Sequence, residues 1–275
     1  MSVSLGGSQF ADWNPIAQAF AAGFVSWSGS AAGALAVFFT QRVEQRLLDV
    51  VLGFAGGIML AASFWSLLHP AIELSAEYGM WCWFPASMGI LAGLLFLHVV
   101  DQWLPRLQLA APDKEAKGLP SRWRRTTLLI LAITLHNIPE GLALGVVFAA
   151  IGDDPGPVSL AGALGLLVGI ASHNLPEGMA VALPLRREGL SPLRSFFYGQ
   201  LSAAVEPAAA ALGAAAALTT KAVLPYAMGF AASAMLYVVV REVIPETQSS
   251  GHAVAATMGI MLGFTLMMAV SVSLR

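Results

Sequence analysis

Long runs without Asp, Glu, Lys or Arg dominate the chain. They cover residues 13–41, 50–72, 78–100, 126–139, 155–176, 195–205, 222–240 and 247–274. A helix that crosses a bilayer needs about 20 mostly apolar residues. Three of the runs stop only at a single carboxylate, Glu140, Glu177 or Glu206, and apolar sequence resumes after each. Joined across those carboxylates, the pattern predicts eight membrane-spanning helices, at about 16–40, 50–70, 85–104, 126–150, 158–185, 194–218, 222–246 and 253–273. The runs are continuous rather than alternating, which argues against a β-barrel. The first dozen residues carry no Lys or Arg. The positive n-region of a signal peptide is therefore missing, and the first span is expected to stay in the mature protein.

Composition points the same way. Apolar residues make up 57% of the 275 and charged residues 11%, against roughly 25% charged in a soluble domain. A soluble globule could not cover its surface with so little charge. Fourteen Lys and Arg nearly cancel sixteen Asp and Glu, so no basic field exists to hold a nucleic acid. The one cysteine, Cys82, excludes an internal disulfide framework and a cysteine-based zinc site. The class expected is an all-α integral membrane protein. It should form a single polytopic domain over 1–275, multi-pass in the cell's inner (plasma) membrane, with the lipid bilayer as partner.

Orientation follows from the basic residues. Arg42 and Arg46 follow span 1. Arg106, Lys114, Lys117, Arg122, Arg124 and Arg125 follow span 3. Arg186, Arg187 and Arg194 follow span 5, and Arg241 closes span 7. Only Lys221 and Arg275 lie on the other side. The positive-inside rule puts the first set in the cytoplasm and both termini outside. The longest connection, about 105–125, is polar, has no His or Cys, and is too short to fold alone. It reads as a cytoplasmic linker.

One motif occurs twice. His136-Asn137-Ile138-Pro139-Glu140-Gly141 recurs 37 residues later as His173-Asn174-Leu175-Pro176-Glu177-Gly178. The copies fall on consecutive, hence antiparallel, spans. That suggests a pseudo-two-fold axis in the membrane plane, as in inverted-repeat transporters with midplane sites. Within each copy, His and Glu at i and i+4 share a helix face and can bind the same cation. The Asn at i+1 projects about 100° away, toward a neighbouring position. The Pro at i+3 leaves the carbonyls of Leu135 and Ser172 without their helical donor. The Gly permits close helix approach. A third carboxylate, Glu206, precedes Pro207 in span 6. All three glutamates fall near the middle of a hydrocarbon core about 30 Å thick. No Lys or Arg is expected at that depth, so one or two divalent cations are the economical counter-charge, with His and Asn completing their shells.

At these residues the chain resembles the ZIP (Zrt/Irt-like protein) family of divalent-metal transporters, in its bacterial GufA-like branch. HNIPEG at 136–141, HNLPEG at 173–178, VEP at 205–207 and REVIPET at 241–247 carry the resemblance. It implies a 3+2+3 arrangement of the eight helices, with a two-metal site on spans 4 and 5. His136, Glu140, His173 and Glu177 would form the first position. Asn137, Asn174 and Glu206 would form the second, with Glu140 and Glu177 bridging. It also implies a homodimer, and motion of spans 1, 4, 5 and 6 against a scaffold of spans 2, 3, 7 and 8. Some relatives carry Gln-Asp where this chain has His173-Asn174, which makes its first position richer in nitrogen and its second less acidic. Arg241 stands where some relatives have a His, and a fixed positive charge excludes it as a ligand. The family's long His-rich cytoplasmic loop is missing.

Other polar residues are weaker candidates. His69 and Glu73 near the outer end of span 2 could meet a metal at the entrance. Glu242 and Glu246 at the inner end of span 7 could form an exit station. His98 and Asp101 read as interfacial, and His252 as a loop residue. The function expected is movement of divalent transition-metal ions into the cytoplasm, foremost Zn²⁺, with Cd²⁺, Fe²⁺, Mn²⁺ or Co²⁺ as further cargo. The alternatives are an intramembrane carboxylate-bridged metalloenzyme or a passive metal channel. The HExxH pattern of metalloproteases is absent, because Asn follows each His.

Overall fold

The computed structural model describes residues 10–40, 44–110, 134, 137–151, 157–187, 189–249 and 251–274. Every secondary-structure element among them is helical. The principal helices are α1 (Pro15–Phe39), α2 (Gln45–Leu74), α3 (Phe84–Ala110), α4 (Asn137–Ala149), α5 (Leu160–Arg187), α6 (192–217), α7 (Leu224–Ser249) and α8 (Ala253–Ser273). Five of these, α1, α2, α5, α7 and α8, are long and apolar enough to cross a membrane. Two shorter apolar stretches, Phe84–Val100 and Asn137–Ala149, accompany them.

Local sequence sets the helix ends. Pro15 opens α1 at its first position, and the Asn14 side chain accepts the Ala17 N–H at 2.8 Å. Ser191 caps α6 in the same way, with Pro192 at the first position. Helix α3 continues to Ala110, past the end of the apolar run near residue 104. Leu, Gln, Arg and Ala at 106–110 favour helix although they do not favour lipid. A helix and a membrane span therefore end for different reasons. The rest of the connection expected at about 105–125 lies outside the described residues.

Proline also shapes the helix interiors. Helix α2 widens into a π turn at Ser63–Leu68, two residues before Pro70. Helix α7 does so at Val239–Val243, two residues before Pro245. Helix α6 tightens to a 3-10 turn at Ser202–Val205 before Pro207. Each change of pitch absorbs the hydrogen bond that a proline cannot make. Helix α5 runs unbroken through Pro176 and Pro184.

The helices pack in a definite scheme. Helix α1 lies against α5 and α6, α2 against α8, and α3 against α7. Helix α4 abuts α6, with Gly141 beside the backbone of Glu206. Close approach needs glycine at the tightest crossing. A Cβ on Gly33 of α1 would lie 1.8 Å from the carbonyl oxygen of Leu175 on α5.

The polarity of inside and outside is that of a membrane protein. Leu91, Leu94 and Leu95 of α3 and Met258, Met261, Leu262 and Leu266 of α8 are exposed. Ser26, Asn137, Glu140, His173, Asn174 and Glu206 are buried. So large an apolar exterior needs lipid around it. Tyr78, Trp81 and Trp83, exposed in the turn between α2 and α3, suit a membrane–water interface.

Candidate metal centre

Helices α4, α5, α6 and α1 converge on one buried polar cluster. Helix α5 contributes His173, Asn174 and Glu177; α4 contributes Asn137 and Glu140; α6 contributes Glu206 from the first residue after its 3-10 turn. The i, i+4 spacing within α5 brings His173 Nε2 to 3.8 Å from Glu177 Oε2. The crossing of α4 and α5 brings the same nitrogen to 3.1 Å from Glu140 Oε1. Each of Glu140, His173 and Glu177 offers one ligand atom, and the three atoms lie within 4.8 Å of one another. A single small cation can reach all three, since metal–ligand bonds to N and O run about 2.0–2.2 Å.

A second polar group adjoins the first. The Asn137 amide donates to Glu177 Oε1 at 3.0 Å, and the Asn174 amide donates to Glu206 Oε1 at 2.8 Å. Asn137, Asn174 and Glu206 have no exposed surface, and Glu140 is 3% exposed. Among the described residues, the second oxygens of Glu140 and Glu206 and the amide oxygens of Asn137 and Asn174 accept no hydrogen bond. Each such buried atom costs about 1–3 kcal/mol if left unpaired. Four oxygens grouped this way form a donor set for hard or borderline dications.

Six of the seven residues singled out by the motifs and by Glu206 are therefore together. The seventh, His136, lies outside the described residues. Ser26 of α1 carries no signal in the sequence. Its backbone oxygen and hydroxyl both accept from the Asn174 amide, at 3.2 and 3.0 Å.

The remaining candidates lie elsewhere. His69 and Glu73 pair with each other at 3.3 Å, nearly half exposed, toward the end of α2. His98 contacts Gln102 at 2.8 Å, and the side chain of Asp101 is outside the description. Arg241 and Glu242 belong to the π turn of α7. Glu246 lines a cavity of about 260 Å³ with Gln45, Asp49, Pro176 and Arg187. His252, read from sequence as a loop residue, precedes α8 and pairs with the buried Asp49 at 3.0 Å. A histidine and an aspartate 203 positions apart carry no pattern that would link them beforehand.

Comparison with known proteins agrees with the repeated motif. The family model described as ZIP Zinc transporter matches residues 108–271, which include both motif copies and Glu206. The human protein named Zinc transporter ZIP11 is 39% identical, across 94% of this chain and 97% of its own length. The chain belongs to the ZIP family. Two bacterial relatives match over most of their lengths as well. Zinc transporter GufA of Myxococcus xanthus is 36% identical, across 92% of this chain and 97% of that protein. Zinc transporter ZIPB of Bordetella bronchiseptica is 36% identical, across 90% and 78%. Members of the ZIP family carry the names of transporters, not of enzymes. With its apolar helices, this chain is a multi-pass membrane protein of that family.

Proposed function

We propose that this chain carries divalent transition-metal ions, foremost Zn²⁺, into the cytoplasm through a buried two-metal site. The observation that carries the reading is the cluster of Glu140, His173 and Glu177, with ligand atoms within 4.8 Å of one another. In the first position these three bind the cation together with His136. In the second, Asn137, Asn174 and Glu206 bind it, and Glu140 and Glu177 serve both. Three carboxylates and two dications come close to neutrality, which removes most of the penalty of charge at membrane depth. The relatives' names as zinc transporters support zinc as cargo. Imidazole and carboxylate also accept Cd²⁺, Fe²⁺, Mn²⁺ and Co²⁺.

The proposed architecture has eight spans in a 3+2+3 arrangement, with both termini outside the plasma membrane. The helix pairings support its inverted symmetry. Exchanging α1–α3 with α6–α8 and α4 with α5 turns the α2–α8 pair into α7–α3, and α1–α5 into α6–α4, all of which are present. The π turns of α2 and α7 exchange as well. The chain is proposed to work as a homodimer.

Purified protein in sealed proteoliposomes tests the function. Saturable Zn²⁺ flux with counterflow is the expected result, and a panel of Cd²⁺, Fe²⁺, Mn²⁺ and Co²⁺ would rank the cargo. Flux that neither saturates nor shows counterflow would make the chain a channel. The metalloenzyme alternative is not favoured, because the relatives are named transporters.

A further inference from the structure

Among the described residues, Ser26 is the one group of α1 that touches the polar cluster through both its backbone and its side chain. It is fully buried, and so is Asn174. The Asn174 Nδ2 lies 3.2 Å from the Ser26 backbone oxygen, 3.0 Å from its hydroxyl oxygen and 2.8 Å from Glu206 Oε1.

A backbone carbonyl only accepts. An amide side chain beside it must therefore present its nitrogen, not its oxygen. That fixes which way Asn174 faces, an assignment that electron count alone leaves open for any amide. With its nitrogen held by Ser26 and Glu206, Asn174 has its oxygen buried and without a hydrogen-bond partner among the described residues. A neutral amide binds a cation only through that oxygen. In the flipped orientation the asparagine would present its NH₂ and repel the ion.

We propose that Ser26 is a positioning residue of the second metal position: its backbone oxygen and hydroxyl hold the Asn174 amide nitrogen, so that the carbonyl oxygen faces the cation. This inference rests on the two-position reading above. Ser30, one turn further along α1 and equally buried, supplies a built-in contrast. Its hydroxyl bonds the backbone oxygen of Asn174 at 3.3 Å and leaves the amide untouched. It serves helix packing alone.

The experiment is equilibrium dialysis of the purified full-length chain against buffered free Zn²⁺, counting ions per chain by elemental analysis. The parent should fill two positions in succession. Ser26→Ala should weaken the second by about five- to tenfold, the worth of one buried hydrogen bond, and leave the first unchanged. Ser30→Ala should leave both unchanged. A purely structural serine would weaken both positions alike, and that result would overturn the inference. So would an unchanged second position, or a Ser26→Ala chain that does not fold. A parent that binds one ion only would instead sink the two-position reading, and this inference with it.

Discussion

Among the described residues, Glu140 and Glu177 are the two carboxylates that meet His173. Glu140 meets His173 at 3.1 Å, and Glu177 accepts from Asn137 at 3.0 Å while lying 3.8 Å from His173. Removing either takes an anionic ligand from both proposed positions. Glu140→Ala and Glu177→Ala should each lower Zn²⁺ uptake by at least about 100-fold, since even outer-shell changes at metal sites cost 10- to 100-fold. Radiotracer uptake, normalised to inserted protein, measures this, and near-normal uptake by either variant would refute the bridging role. In the proposed scheme Glu206 serves one position only. Glu206→Gln keeps the volume and removes the charge, leaving two neutral amides and the shared bridges to hold the second ion. Bound metal should fall from about two ions to about one per chain, because amide oxygens compensate a dication poorly in a medium of low dielectric. Unchanged stoichiometry would show that Glu206 is no ligand, and complete loss would show that the positions are not separable. Most of this cluster was legible in the sequence, because His, Asn, Pro and Glu at fixed offsets specify a helix face. Ser26 was not, because a serine among alanines and glycines has the pattern of ordinary close packing.

The elements follow from apolar runs, yet their fine structure follows from proline and glycine. The runs foretold where helices lie because lipid and helix both suit uncharged sequence. They could not foretell the π turns at Ser63–Leu68 and Val239–Val243, which depend on how the chain re-forms its hydrogen bonds before Pro70 and Pro245. Nor could they foretell that α3 continues to Ala110. Composition alone does not say which of the many glycines meet a neighbouring backbone. At the α1–α5 crossing Gly33 does, since the Leu175 carbonyl occupies the space a side chain there would need. Gly33→Ala should therefore push apart the two helices that carry Ser26 and Asn174. A loss of about 1–3 kcal/mol is expected, as for other overpacked interiors, read as a lower melting temperature in detergent. Gly162→Ala is the control. Its added methyl would approach the Ser159 hydroxyl at 3.3 Å and the Leu274 carbonyl oxygen at 3.8 Å, an ordinary contact, and alanine favours helix over glycine by about 1 kcal/mol. Its melting temperature should stay level or rise. Equal losses in both variants would mean that the Gly33 contact is not special.

At the scale of the whole molecule, the proposed moving set (α1, α4, α5 and α6) and the proposed scaffold (α2, α3, α7 and α8) can be compared by the glycine contacts within and between them. Helix α1 meets α5 with glycine against a backbone carbonyl, and so does α2 with α8, where a Cβ on Gly57 would lie 2.0 Å from the oxygen of Ile260. Between the sets, Gly169 of α5 faces the sulfur of Met267 on α8 and the side chain of Ile58 on α2. Backbone-to-backbone contact locks its partners in register, whereas a flexible Met against smooth aliphatic groups resists sliding little. Such a boundary suits the proposed motion of α1, α4, α5 and α6 as a body. Motion of that kind imports metal only if the chain sits the right way round, and the orientation is open to direct test. Twelve of the fourteen basic residues fall on the connections assigned to the cytoplasm, so Lys117 should face inward and Asp153 outward. The native Cys82 lies between α2 and α3, partly accessible, and would itself report from the outer side. In a Cys82→Ser background, a thiol at Lys117→Cys should resist a membrane-impermeant maleimide in intact cells and react once the membrane is opened. A thiol at Asp153→Cys should react in both conditions. The reverse pattern would invert the topology, place the cytoplasmic mouth where the entrance is assigned, and turn the proposed import into export.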